Sequence, residues 1–146
     1  MDTHIVCGAI VAKDGKILMV QEGEEKIRRL WNNPAGHLDI GESIIDGTIR
    51  EVKEETGFDV KLDGLIGVYY YLNKEGILVV RFQFRASVKS GILKFPEKEI
   101  MDAKWFAPEE ILAMDDSKLR GPGIKPLIRD FISGKLYPVD TLKYLK

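Results

Sequence analysis

Apolar and polar positions along this chain change their spacing several times, and each change marks an element. From His4 to Ala12 and from Lys16 to Gln21 the chain is largely apolar, in two short runs joined at Asp14-Gly15. That dipeptide suits a tight hairpin turn, so strands are predicted over 4–12 and 16–21. The charged loop "GEEKIRR" follows, and Trp31 leads into a turn at Pro34. Beyond Ser43 the period becomes helical: Ile45, Ile49, Val52 and Thr56 form a stripe that should face a core. Ser43 is suited to cap this helix and Gly57 to stop it, which sets its limits at about Ile44 and Thr56.

Strand patterns return at 58–72 and 77–88, with "NKEG" turning between them. In the second of these, Val80, Phe82, Phe84 and Ala86 alternate with Arg81, Gln83 and Arg85. Residues 101–106 read as another strand, and Pro108 opens a short helix. A last helix is predicted from near Pro122 or Gly123 to near Gly134. Runs of strands around a few helices give an α+β fold class.

The helix at Ile44–Thr56 carries an oddity. Glu51, Glu54 and Glu55 are spaced i, i+3 and i+4, so they share one face. Glu54 and Glu55 also fall in the last turn, where the helix dipole is negative and disfavours anions. Arg50 is spaced to pair with Glu54, whereas Lys53 projects to another side. A solvated acidic face is the plain alternative. A bound cation would reverse both the mutual repulsion and the dipole penalty, so the cluster reads as a metal site. Gly47 lies mid-helix, one turn before Glu51, where glycine costs about 1 kcal/mol relative to alanine. A close approach there by the loop carrying Pro34, Ala35 and Gly36 would account for it.

The stretch "GHLDIGESIIDGTIREVKEETGF", from Gly36 to Phe58, resembles the Nudix box, G-x5-E-x7-R-E-U-x-E-E-x-G-U with U a bulky apolar residue. Gly36, Glu42, Arg50, Glu51, Val52, Glu54, Glu55, Gly57 and Phe58 fill every specified position. Beyond the box, "WNNPAGH", "VRFQF" and "LRGP" resemble, in that order, the branch typified by the phosphatase NudJ. The likeness runs to about Pro126 and is weak in the tail.

That resemblance implies a Nudix fold, a mixed sheet sandwiched between helices (α/β/α), over a single domain of residues 1–146. It also implies Mg²⁺, or Mn²⁺, held by Glu51, Glu54, Glu55 and the Ala35 carbonyl, with Arg50 orienting the carboxylates. Glu99 matches a further downstream acid, ahead of Glu97, although a solvated loop glutamate fits equally. The general base is Glu51, Glu54 or Glu99. Arg81 and Arg120 match arginines of the branch and are candidates to hold phosphate. Arg28, on the loop facing the box, and His37, next to the box glycine, are weaker candidates. Each of these also fits as an ordinary surface side chain. Of the tyrosines at 69–71, at least one should be core and at most two free to stack on a base.

Composition narrows the partners. The chain has 146 residues, is 45% hydrophobic and carries a net charge of −1 with no basic block, so a nucleic-acid polymer is not expected. No apolar run is long enough to span a membrane, and "MDTHIVCGAIV" lacks the basic start of a signal peptide. Lone Cys7 has no partner within the chain for a disulfide and suits a buried position. A cytoplasmic setting follows, with a small phosphorylated molecule as partner. The leading expectation is a Mg²⁺-dependent hydrolase of phosphoric anhydrides in nucleoside di- or triphosphates or related small pyrophosphates. The alternatives are an ADP-ribose or nucleotide-sugar pyrophosphatase, and a non-catalytic nucleotide-binding regulatory domain. Intact box glutamates speak against the last.

Overall fold

The computed structural model describes residues 2–146. Its first two strands, β1 (Thr3–Lys13) and β2 (Lys16–Glu22), are joined at Asp14-Gly15, both with positive φ, 52° and 77°. This is the backbone that a two-residue hairpin requires. Two short strands follow, β3 (Trp31–Asn32) and β4 (Ala35–His37), then helix α1 (Ile44–Thr56). The long strands β5 (Phe58–Leu72) and β6 (Leu78–Gly91) come next, then β7 (Ile100–Phe106). Helices α2 (Pro108–Leu112) and α3 (Ile124–Ser133) complete the order.

All seven strands form one mixed sheet in the order β3-β2-β1-β6-β5, with β4 on β1 and β7 on β2. The β1–β6 pair is parallel, from Thr3 opposite Leu78 to Ala12 opposite Ser87, and the other pairs are antiparallel. β1 is shared along one edge: β4 meets it at Val6 to Gly8, and β2 meets it at Ala12 and Lys13. The loop before α1 is thereby fastened to the centre of the sheet.

Helices cover both faces, which explains the continuous apolar runs of β1 and β2. On one face Val52 of α1 packs with Ala9, Val11, Phe58 and Phe84. On the other, Ile111, Ile124, Leu127 and Ile128 pack with Ile10, Ile17, Met19 and Ile66. The predicted mixed sheet between helices is therefore the observed one. β6 is central, so the polar half of its alternation is also withdrawn from solvent: Gln83 is only 2% exposed, and Arg81 and Arg85 are half-buried.

Two details of α1 differ from the sequence reading. The core stripe is carried by Ile44, Thr48, Ile49, Val52 and Thr56, without Ile45. Gly47 is needed against Leu38, Glu42 and Cys7, which a Cβ there would meet at 2.8, 2.9 and 3.1 Å, not against the Pro34–Gly36 loop. The glycine that this loop needs is its own Gly36. The cap assignments hold: Ser43 Oγ accepts from Asp46 N at 3.0 Å, and Gly57 closes the helix with φ 81°.

The tail is tied to the sheet. Leu65 and Tyr137 exchange backbone hydrogen bonds, each 2.8 Å. Val139 and Leu142 pack on the core, and the Tyr144 hydroxyl donates to the Gly41 carbonyl at 3.3 Å. Among the described residues no helix is long and apolar enough to cross a membrane.

Candidate active site

The site is built where α1 lies along the loop that β1 holds down. Arg50 organises it. Its Nη2 donates to Glu42 Oε1 at 2.7 Å and its Nε to Glu42 Oε2 at 3.0 Å. Nη1 donates to Glu51 at 2.9 Å and to both Glu54 oxygens at 3.2 Å. Nη2 also reaches the His37 carbonyl at 3.1 Å, which pins the guanidinium to β4. A planar donor fork is suited to this task in a way that an ammonium is not. The Arg50 guanidinium holds the Glu42 carboxyl below the usual carboxylate range.

Glu51 and Glu55 turn toward the loop. Glu51 presses on Gly36 so closely that a Cβ there would lie 2.2 Å from its carboxyl group. Glu55 Oε1 accepts from the Ala35 N–H at 2.8 Å. Burial pushes the Glu55 carboxyl well above its ordinary pKa, the Ala35 bond opposes this, and the charges of Glu22, Glu51 and Glu99 add to it. Glu51 is raised as well, by burial first, with Arg50 opposing and Glu54 and Asp39 adding.

Glu22, the last residue of β2, is the member that sequence reading missed. Burial raises its pKa, a hydrogen bond with Asn32 and the charge of Arg120 oppose this, and Glu24 and Glu99 add to it. Its signal in the sequence was weak: one acid ending an apolar strand, just before a charged loop. Pairing places it. β3 lies against β2, and the Gly23 N–H donates to the Glu99 carbonyl at 2.7 Å, so the β2 end and the Glu99 segment meet beside α1.

Glu22, Glu51 and Glu99 are thus close enough for their charges to raise the cost of ionising Glu55, and the charge on Arg120 acts on Glu22. Several half-buried carboxylates around a backbone turn form a hard oxygen donor set, which suits a cation such as Mg²⁺. As they stand, no three His, Cys, Asp or Glu side chains among the described residues are gathered tightly enough to hold an ion. Three of the box carboxylates, Glu42, Glu51 and Glu54, are engaged by Arg50 instead.

The remaining candidates fall into three places. Arg120 is exposed beside the carboxylates, its N–H donating to the Trp31 carbonyl at 2.9 Å. Arg81 lies elsewhere, in a cavity of about 430 Å³ between β5, β6 and α3, lined also by Gln83, Tyr69, Tyr71, Pro122 and Leu127. Arg28 is exposed and donates to the Gly23 carbonyl at 3.4 Å, and among the described residues no hydrogen bond or ion pair joins it to α1. The His37 ring stands edge-on to His4, centroids 5.1 Å apart, and its carbonyl rather than its imidazole meets Arg50. Glu97 is exposed. Of the tyrosines, Tyr69 is half-buried with its hydroxyl on Asp130 at 2.6 Å, while Tyr70 is exposed.

Comparison with known proteins gives a consistent result. A family model described as the NUDIX domain matches residues 2–131. The phosphatase NudJ of Escherichia coli K12 is 31% identical over 140 residues, covering 95% of this chain and 90% of that protein. A NUDIX hydrolase from Nitrosomonas europaea superposes with a TM-score of 0.89 at 35% identity, covering 99% and 98% of the two chains. The solution structure of the E. coli ORF135 protein superposes at 0.75 with 26% identity, covering 91% of each.

Proposed function

Because this chain belongs to the NUDIX domain family, in which hydrolysis of phosphoric anhydrides is the common chemistry, we propose that it cleaves the terminal phosphate from nucleoside di- or triphosphates, or from similar small pyrophosphates. The chain is a Nudix hydrolase acting on small phosphorylated molecules, and enzymes of this family generally use divalent metals. Terminal cleavage, the metal and the residue roles are our own reading.

One observation carries it: Glu22, whose charge acts on Glu55 among the carboxylates, also feels the cation of Arg120. Such a site binds a metal and a phosphate chain side by side. Glu51, Glu54, Glu55 and the Ala35 carbonyl would hold Mg²⁺ or Mn²⁺, with Glu99 and Glu22 completing the acidic wall. When bound, the metal neutralises phosphate charge and acidifies the attacking water. Arg50 holds Glu51 and Glu54 beside each other, with Glu51 against the loop, and Arg120 grips the terminal phosphate. One of Glu51, Glu54 and Glu99 takes the proton from water as it attacks the terminal phosphorus, and orthophosphate departs, leaving a nucleoside monophosphate from a diphosphate and a nucleoside diphosphate from a triphosphate. All 146 residues serve as one domain, the tail included, since Tyr137 and Tyr144 tie it to β5 and to the loop before α1. A cytoplasmic setting belongs to the same reading, since the single cysteine is buried and asks for no oxidising compartment.

Product analysis tests it. ADP and GDP are incubated with Mg²⁺, with and without EDTA, and products are separated. Orthophosphate plus AMP or GMP, abolished by EDTA, is the expected result. If both are inert while ADP-ribose or a nucleotide sugar yields two monophosphates, the pyrophosphatase alternative replaces it. Turnover that persists in EDTA removes the metal assignment.

A further inference from the structure

The cavity between β5, β6 and α3 has an unusual floor. Gln83 of β6 lies opposite Gly8 of β1 on one side and opposite Gly67 of β5 on the other. A glycine within a strand weakens it and often marks a close approach by something else. On the β1 side that something is visible: a Cβ on Gly8 would lie 2.6 Å from the Pro34 carbonyl oxygen and 3.0 Å from Gln83 Oε1. On the β5 side, the Tyr69 ring leans to within 3.1–3.2 Å of where a Gly67 Cβ would be.

The orientation of the Gln83 amide is fixed by its neighbours. Asn33, fully buried, points its Nδ2 at the Ala9 and Pro34 carbonyls, at 3.3 and 3.4 Å, and these oxygens only accept. The same Nδ2 donates to Gln83 Oε1 at 2.9 Å. A flipped Asn33 would set three oxygens against one another. Gln83 therefore spends its oxygen toward β1, and its Nε2, with no partner among the described residues, is left for the cavity that it lines. Next to it, Arg81 Nε is buried and unpartnered. Tyr69 gives its hydroxyl proton to Asp130 and is held as a wall. The floor offers donors and asks for an acceptor. An unmet polar group in such a place is costly, so a ligand that meets it gains more than its area suggests.

We propose that Gln83, flanked by Gly8 and Gly67, reads the heterocycle of the substrate, accepting nucleobases that present a carbonyl oxygen and disfavouring those that present an amino group. The proposal rests on the nucleotide hydrolase reading above. Arg120 connects the two places, since its charge acts on Glu22 and it stands two residues before Pro122 at the cavity wall. A nucleotide lying along this path has its phosphates at the carboxylates and its base at Gln83. Among purines, a 6-oxo edge is favoured over a 6-amino edge.

IMP and AMP differ at that edge, and their binding to the whole protein is measured by calorimetry, beside kcat/KM for IDP and ADP with Mg²⁺. IMP is expected to bind about tenfold more tightly than AMP, the step that one well-placed hydrogen bond supplies. Gln83→Met should bring the ratio to within about twofold, and Gln83→Glu, whose outer oxygen accepts, should reverse it. Equal binding of the two by the wild-type protein, or binding of neither, overturns the proposal. So does an unchanged ratio in a Gln83→Met variant that melts as a folded protein. Equal cleavage of IDP and ADP, with equal IMP and AMP binding, removes this inference and leaves the hydrolase reading standing. Selective IMP binding with no diphosphate cleaved does the opposite.

Discussion

Arg50 and Glu42 form a two-bond ion pair across the Ser43 cap and about two turns of α1, at 2.7 and 3.0 Å, with 27% and 18% of their side chains exposed. The pair ties the segment before α1 to the acidic face of that helix. Its contribution is pH dependent, and the sign follows from the Glu42 carboxyl being held below its usual range. A depressed carboxylate stabilises the fold above its unfolded pKa, about 4.3, and loses that contribution as pH falls through the folded value. Glu42→Gln should therefore cost about 1 kcal/mol at pH 7, allowing for solvent screening, and nothing in strong acid. Urea titrations of both proteins from pH 7 to 3 should show the two stabilities converging.

Glu55 behaves in the opposite sense. Its carboxyl is raised by burial, so stability is fully present below the unfolded pKa and is lost as pH rises through the folded one. In the absence of metal, Glu55→Gln should raise Tm by about 2–5 °C at pH 8 and by nothing below pH 4. The glutamine still accepts from Ala35. Added Mg²⁺ should raise the wild-type Tm, more at pH 8 than at pH 6, and leave the variant unmoved. Scanning calorimetry at two pH values, with and without Mg²⁺, decides it.

Catalysis itself should fail with Glu54. Glu54→Gln, like Glu55→Gln, is expected to lower kcat by about two orders of magnitude, the scale of a lost charge contact in the transition state. Wild-type activity should require Mg²⁺ or Mn²⁺ and rise toward alkaline pH. A Glu54→Gln variant with near wild-type kcat at saturating Mg²⁺ would show that the cluster is not the metal site.

Gly36 and Gly57 should separate function from folding. An alanine Cβ at Gly36 would meet the movable end of Glu51, at 2.2 Å, and displace it. Gly36→Ala should keep the fold, with Tm little changed, and lose about tenfold to a hundredfold in kcat/KM through misplacement. At Gly57 a Cβ would meet the Ile92 carbonyl at 2.3 Å, with φ at 81°. Gly57→Ala should instead cost about 2–3 kcal/mol of stability. Melting curves and steady-state kinetics of the two variants should show these losses exchanged.

Much of this was legible before any coordinates. Ser43, Gly57 and the spacing of Glu51, Glu54 and Glu55 gave α1 its limits and its acidic face, because helix caps and periodicity are local. Asp14-Gly15 gave the hairpin for the same reason. What escaped is non-local. Glu22 joins the carboxylates only because β3 and the Glu99 segment close on the end of β2. The partner of Gly47 was misplaced because Leu38 and Cys7 come to it from two separate strands and loops. Gln83 looked like the solvent side of an alternating strand, and is buried because β6 sits mid-sheet with both faces covered. Arg81 and Arg120 looked alike in sequence, yet one lines the cavity and the other stands by the carboxylates.

The parallel pairing of β1 with β6 also sets an order of assembly. Thr3 must find Leu78, and every bond along that central seam spans a similar stretch of chain. The hairpin of β1 and β2 and the helix α1 are local and form early, but the sheet that gives them a floor waits for β6. During synthesis, the acidic helix is therefore complete well before the strand that locks its loop in place has emerged. The nascent chain carries its acidic helix long before it owns the sheet that seats it.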